Sequence, residues 1–160
     1  MIKIKIKSPD AKALSAKLSK EIVSSGFVSD LNQRVVEEKI KQFIAGGNSP
    51  VSGERRFRAY KDKDKYPAGR KSSRPVNLKL SGEMLDNYKA EKVSGSSVSI
   101  GISSKAPSDV KEYAEANNIG TEHIVARRFV PVSGEQFNVT VIRMIKTIFT
   151  KRIIELFNKR

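Results

Sequence analysis

The chain has 160 residues, of which 38% are hydrophobic, so we expect one domain over residues 1–160 with one modest core. Its lack of cysteine excludes disulfides, thiolate nucleophiles and zinc–thiolate sites, and it has no run of about 18 uncharged apolar residues that could span a membrane. Thirty-one Lys and Arg against 17 Asp and Glu give a net charge of +14, which usually means attraction to an anionic partner such as nucleic acid.

A short strand and two helices are predicted for the first third of the chain. Isoleucine and lysine alternate over residues 1–7, the period-two pattern of a half-buried strand with a charged edge. The first helix begins at Ser8-Pro9-Asp10 and should end near Gly26, and the second runs from Ser29-Asp30 to Gly46-Gly47. The break near Gly26 leaves open whether they form one long kinked helix. The second helix carries a core-facing stripe at Leu31, Val35, Val36, Ile40, Phe43 and Ile44.

Residues 48–75, called the arm below, lack apolar periodicity and are rich in basic residues. A loop this long inside a compact domain is normally functional or disordered. Cations interleaved with aromatic rings suit a protein interface or single-stranded nucleic acid, and the bland alternative is a solvated loop whose rings rest on their own core. We expect the arm to dock on another subunit. Its candidate interface residues are Arg55, Arg56, Phe57, Arg58, Tyr60, Tyr66, Arg70 and Arg74.

The middle of the chain predicts a short helix, a strand and a third long helix. Ser81 can cap a helix that extends to about Lys89. Residues 93–102 alternate as a strand, with small residues on one face and, on the other, Val98, Ile100 and Ile102. A further helix begins at Pro107-Ser108-Asp109 and stops at Asn117-Asn118-Ile119-Gly120.

Residues 124–130 predict another strand, which Pro131 ends because proline cannot donate a ladder hydrogen bond. Ser133 is the predicted cap of a long C-terminal helix from residue 135 to about 158, with Glu135 in its first turn. The apolar stripe of this helix is Ile142, Ile145, Phe149, Ile153 and Leu156. Two further interface candidates precede the helix, and at least one of them should be exposed if this segment is a strand: Arg127 and Arg128.

These elements predict an α+β fold: a small antiparallel sheet packed against N-terminal helices and a long C-terminal amphipathic helix, with a long basic loop. No catalytic constellation is evident. The single histidine, His123, lies beside Glu122, and most acids alternate with lysines as charge balance. The glycines do not form a phosphate-binding loop between a strand and a helix. We therefore expect no enzyme activity, no catalytic residue, no cofactor and no metal.

Four local patterns occur in a characteristic order over about residues 29–157. They are Ser49-Pro50 before the basic aromatic stretch, residues 78–85, Val98-Ser99-Ile100-Gly101, and a final set: Tyr113-Ala114, Asn118-Ile119-Gly120-Thr121 and Ala126-Arg127-Arg128-Phe129. This order resembles the phage tail-completion and virion-morphogenesis proteins, the small head–tail joining proteins of the tailed-phage neck. Arg128 stands where that family usually has proline.

The resemblance implies a non-enzymatic structural protein of the virion, assembled in the host cytoplasm, which forms a ring between head connector and tail. Its implied partners are copies of itself and the neighbouring head-connector and tail-tube or terminator proteins, with DNA nearby and no membrane. The alternative from the residues alone is a basic nucleic-acid-binding module that uses the Arg/Lys/aromatic loop. In a ring, each subunit would repeat one heterologous contact, and the arm would reach the neighbour.

Overall fold

The computed structural model describes residues 24–59, 78, 82–94 and 97–158, together with helical positions 13, 15, 16, 18 and 19. Within these ranges the protein has the predicted α+β fold, with a two-stranded antiparallel sheet and a long C-terminal helix. The predicted strand over residues 1–7, the Ser81 cap and the arm beyond residue 59 lie outside the described residues. No helix in the described ranges combines the length and apolar character needed to cross a membrane.

A continuous helical segment forms one side of the core. It consists of α1 (Ser25–Asp30), a π-helical stretch (Leu31–Ile40) and α2 (Lys41–Ala45). Its apolar stripe is buried as predicted, because the side chains that recur every three or four residues face the rest of the core. The fully buried members are Leu31, Val35, Val36, Ile40 and Ile44. The predicted end is also confirmed, since Gly47 adopts the left-handed conformation with φ 75°.

The start of this segment differs from the prediction. Ser24 is extended, with φ −64° and ψ 148°, and its Oγ accepts a hydrogen bond from the Phe27 amide at 3.2 Å. The helix thus begins four residues before Ser29, and the extended cap separates it from the helical positions before residue 20. Gly26 marks close packing and not a helix end, because an added Cβ would lie 3.3 Å from Arg152 Nη2.

A β-hairpin follows the short helix α3 (Glu83–Asp86) and packs on the π-helical stretch. Its strands are β1 (Tyr88–Ser94) and β2 (Ser97–Ile102), paired antiparallel with Tyr88 opposite Ile102. The prediction that the helix extends to Lys89 is wrong, because the chain turns at Asn87 and Lys89 already belongs to β1. The predicted strand over residues 93–102 is wrong at its start, because Val93 and Ser94 belong to β1 and β2 begins at residue 97. Its predicted apolar face is confirmed, since three branched side chains pack against the core: Val98, Ile100 and Ile102.

An asparagine closes the outer edge of β1. The Asn32 side chain accepts a hydrogen bond from the Ala90 amide at 2.8 Å and donates one to the Ala90 carbonyl at 3.0 Å. It therefore offers β1 the two contacts that a third strand would make at this position. This pairing joins the helical segment to the sheet and covers part of an edge that would otherwise be open.

The helix α4 (Ser108–Ile119) has the bounds that the sequence predicts. It ends at Gly120, whose φ is 88° and whose added Cβ would lie 2.9 Å from the Ala126 amide nitrogen. Only glycine fits there, because the position combines a left-handed backbone with a close approach of the returning chain.

The long helix α5 (Val139–Asn158) begins four residues later than predicted. Asn138 stands before it and accepts a hydrogen bond at Oδ1 from the Val141 amide, 3.1 Å away, so Asn138 and not Ser133 caps the helix. Glu135 lies outside the helix and accepts a hydrogen bond from the Val132 amide at 2.9 Å.

The buried face of α5 is rotated from the predicted stripe. Its most buried side chains are Val141 and Ile148, and Ile145 and Phe149 pack beside them. Phe149 meets Phe27 edge-to-face, with ring centroids 6.4 Å apart. An ion pair of 2.7 Å between Arg152 Nη2 and Asp30 Oδ2 adds a second contact between α5 and α1.

Candidate interaction surface

Residues 126–130, called the connecting segment below, pass through the core without forming a strand. The predicted strand over 124–130 is therefore wrong, and the reason is that side chains take the place of a neighbouring strand. Asn118 Oδ1 accepts from the Phe129 and Val130 amides at 2.8 and 2.9 Å, and its Nδ2 donates to the Val130 carbonyl at 2.9 Å. Tyr88 Oη donates to the Phe129 carbonyl at 3.1 Å. Phe129 itself is fully buried.

The arm root, residues 48–59, folds back on the body of the same chain. Ser49 Oγ donates to the Arg128 carbonyl, across 79 residues of sequence. The Ser49 amide donates to the Arg55 carbonyl at 2.9 Å, and the Phe57 amide donates to the Gly47 carbonyl at 2.8 Å. The backbone of the first twelve residues of the arm is therefore held by its own chain, and the docking of the arm on another subunit stays a prediction.

Three cations point outward from the arm root while one aromatic side chain points inward. Arg55, Arg56 and Arg58 are exposed. Phe57 is half-buried and packs against the core. The alternation over Arg56, Phe57 and Arg58 is the one that an extended backbone imposes, because it directs successive side chains to opposite sides. The arm root is thus a basic rim anchored by a phenylalanine.

Arg127 holds the end of the arm root. Its side chain is 4% exposed, so at least one of the two adjacent arginines is not on the surface. Nε donates to the Arg58 carbonyl at 3.0 Å, Nη2 to the Ala59 carbonyl at 3.2 Å and Nη1 to the Val125 carbonyl at 3.1 Å. A guanidinium presents five donors in a rigid fork, which suits it to hold several carbonyls in one geometry. Arg127 therefore fixes the position of the last two described residues of the arm root.

Arg128 is half-buried. Because Arg127 is buried as well, the expectation that at least one of these two arginines is exposed is wrong. Its Nε lies 3.7 Å from Glu135 Oε1, which is an ion pair too long for a hydrogen bond. Its Nη1 is buried and has no hydrogen-bond partner within the part of the chain that the structure describes. The sequence paired these two residues as equivalent candidates, whereas only Arg127 is engaged through its whole fork. The remaining candidates lie outside the described residues: Tyr60, Tyr66, Arg70 and Arg74.

The histidine that the sequence analysis singled out lies at the surface beside its acidic neighbour. The side chains of His123 and Glu122 are both 84% exposed, and His123 Nε2 lies 3.2 Å from Glu122 Oε1. No group of three or more His, Asp or Glu side chains that could hold a metal ion occurs among the described residues.

Burial raises the pKa of the Tyr88 hydroxyl, so this group stays protonated and can donate its hydrogen bond to the Phe129 carbonyl. Hydrogen bonds from Ser103 Oγ and the Ser104 amide lower the pKa of Glu91.

The residues that organise this surface include three that sequence reasoning did not single out. Asn117 and Asn118 were interpreted as a helix stop, yet both are buried, and the Asn117 carbonyl accepts a hydrogen bond from the Arg127 amide at 2.7 Å. Tyr88 was assigned to a helix. The sequence did contain an indication for the two asparagines: an amide side chain on the buried face of a helix needs hydrogen-bond partners, and a neighbouring backbone segment can provide them.

Comparison with protein-family models, with curated proteins and with solved structures found no match.

Proposed function

We propose that the protein is a non-enzymatic structural subunit of the tailed-phage neck, a tail-completion or head–tail joining protein that forms a ring between head connector and tail. The observation that carries this proposal is that motifs far apart in sequence meet around the connecting segment. Ser49 bonds to it, Asn118 holds it, and Gly101 of β2 packs beside it, where an added Cβ would lie 3.6 Å from Val130 Cγ1. Three of the four motifs of the resemblance thus meet at one structural feature.

The mechanical layout suits a ring subunit. A ring needs a rigid body and a projecting element that reaches the next copy until the circle closes. The packed helices and hairpin provide the body, and the Arg127 fork holds the last described carbonyls of the arm root in place. A projecting element that leaves a rigid body in a fixed direction loses less entropy on docking than a free one.

The test of this proposal is the mass of the purified chain and of its mixtures with head-connector and tail proteins. We expect a closed oligomer, measured by native mass spectrometry and seen as a ring by electron microscopy. A matched preparation in which residues 60–75 are replaced by a short glycine–serine linker, with the arm root kept, should stay monomeric. If tails attach to heads normally in particles that lack this protein, the proposal is wrong.

A second candidate function is a basic nucleic-acid-binding module, which the outward-facing arginines of the arm root favour. Counterion release makes such binding fall steeply with salt. Changing Arg55, Arg56, Arg58 and Lys61 together to Ala should then weaken binding to single-stranded DNA or RNA and flatten its salt dependence. Unchanged affinity in this variant would remove the arm from any nucleic-acid function.

A further inference from the structure

A concave site lies between α3 and α4, on the face of α4 that turns away from the β2 end of the sheet. Its volume is about 330 Å³, and Leu78, Met84, Val110 and Tyr113 form its apolar lining. Leu78 and Met84 are 3% and 4% exposed, so the floor belongs to the core. We call this cavity the acidic pocket, for the reason given next.

Both charged side chains among its described lining residues are carboxylates, those of Glu83 and Asp109. They belong to a wider acidic surface that includes the exposed carboxylates of Asp86 and Glu112. The fifth exposed carboxylate of α3 and α4, that of Glu115, lines a separate groove together with the single lysine of these two helices. That lysine, Lys111, lies on the other side of α4, where its Nζ donates to the Ser104 carbonyl at 2.7 Å. The charged side chains that line the acidic pocket within the described residues are therefore both negative, in a chain whose net charge is +14.

The sequence of the arm is complementary to this pocket. Residues 55–74 contain nine Lys and Arg and two Asp, a net charge of +7, which is half of the net charge of the chain. The part of the arm beyond Ala59 also includes two tyrosines, Tyr60 and Tyr66. An apolar cavity with an acidic rim binds a side chain that combines an apolar body with a cation nearby, as interface anchors do.

We propose that the acidic pocket receives the basic, aromatic part of the arm of a second copy of this chain. This inference rests on the proposed function, since it names the contact between neighbouring ring subunits. The two surfaces are different, so the contact is heterologous and each subunit offers one arm and one pocket. Seven residues beyond Ala59 can span at most roughly 25 Å when extended, which is enough to cross to a neighbour.

Cysteine crosslinking tests this contact cleanly, because the chain has no cysteine of its own. One preparation carries Glu112→Cys, one helical turn from Asp109 on the exposed surface of α4. The other carries Tyr60→Cys, Tyr66→Cys or Arg70→Cys in separate variants. We expect oxidation of the mixture to join the two kinds of chain for at least one arm position. The matched control is Glu115→Cys, an exposed acid on the same helix that lines a separate groove and should not crosslink.

A charge reversal adds a second measurement. Asp109→Lys should lower the interchain crosslink yield and the association constant by roughly tenfold or more, and Glu115→Lys should change neither by much. Crosslinks that form only within one chain, when Glu112→Cys and an arm cysteine are combined, would show that the arm fills its own pocket and would overturn the inference. Absence of any crosslink would overturn it too.

The outcome separates this inference from the proposed function. A ring seen by native mass spectrometry without the crosslink leaves the neck function standing and removes the arm-to-pocket contact. An interchain crosslink in a dimer or chain that never closes into a ring supports the contact and contradicts the neck function.

Discussion

Replacing Arg127 by alanine tests whether one side chain fixes the start of the arm. Among the described residues, the change removes the hydrogen bonds from a buried guanidinium to three carbonyls, those of Arg58, Ala59 and Val125. Hydrogen bonds to charged groups contribute about 1.5–3 kcal/mol each. The freed carbonyls of the arm root can bond water, because Arg58 and Ala59 are exposed. We therefore expect the free energy of unfolding to fall by about 2–4 kcal/mol, below the sum of three bonds.

Urea denaturation measures this loss, and a melting temperature about 5–15 °C lower should accompany it. Hydrogen exchange should also become faster at the amides of residues 55–59. Arg128→Ala is the matched control, since its side chain makes an ion pair of only 3.7 Å with Glu135 and its Nη1 has no hydrogen bond in the described ranges. We expect it to cost less than about 1 kcal/mol. Equal losses for the two variants would refute the assignment of Arg127 as the residue that holds the arm.

Three further predictions address the core, a turn and the pH dependence. Ile145→Asp should cost about 2–4 kcal/mol, because it places a charge on the packed face of α5, whereas Lys146→Asp at the exposed neighbouring position should change unfolding in urea little. Gly120→Ala should lower the melting temperature more than Gly134→Ala, because both glycines have positive φ (88° and 83°) but only the first has no room for a Cβ. Glu91 has a lowered pKa in the folded state, so its contribution to stability is present above its unfolded pKa of about 4.3 and is lost as the pH falls through the folded value. Glu91→Gln should therefore make urea stability less sensitive to pH below about pH 5, and an unchanged pH profile would contradict this account.

Helices with a continuous apolar stripe could be predicted from sequence because burial imposes their period directly. The stripe from Leu31 to Ile44 and the bounds of α4 are confirmed on this basis. Helix starts were less predictable. Ser24 and Asn138 cap α1 and α5, whereas Ser29 and Ser133 are nearby residues of the same capping class. A capping side chain is a local preference of about 1 kcal/mol, so the packing of the following turns decides among candidates.

The connecting segment could not be predicted, because its partners are distant in sequence. Its apolar residues have the composition of a strand, and Phe129 is as buried as a strand residue would be. Its hydrogen bonds, however, go to the side chains of Asn118, Tyr88 and Ser49, which lie 11, 41 and 79 residues away. Composition predicts that the segment is buried. Only the tertiary structure decides whether a neighbouring strand or a set of side chains forms the hydrogen bonds with its backbone amides and carbonyls.

The same limit applies to the candidate interface. Sequence could identify Arg127 as important but assigned it to a partner surface, whereas its donors bind carbonyls 68 and 69 residues earlier in the chain. An arginine next to an aromatic residue has the same local composition at an interface and inside a fold. The two cases differ in burial: Arg127 is only 4% exposed, whereas Arg55 and Arg56 are exposed to solvent.

Arg127 also separates the two functions that the arm could serve. Attraction of an arm to phosphates depends on its charge and tolerates a flexible attachment, because the interaction is not directional. Docking of an arm in a pocket of a neighbouring copy depends on where the arm starts, because a freed arm loses more entropy when it binds. Arg127→Ala should therefore reduce ring assembly. Binding of the variant to single-stranded DNA should keep nearly the same salt dependence, because the variant loses only one positive charge. If the variant assembles as well as the unchanged chain, the fixed direction of the arm has no part in assembly.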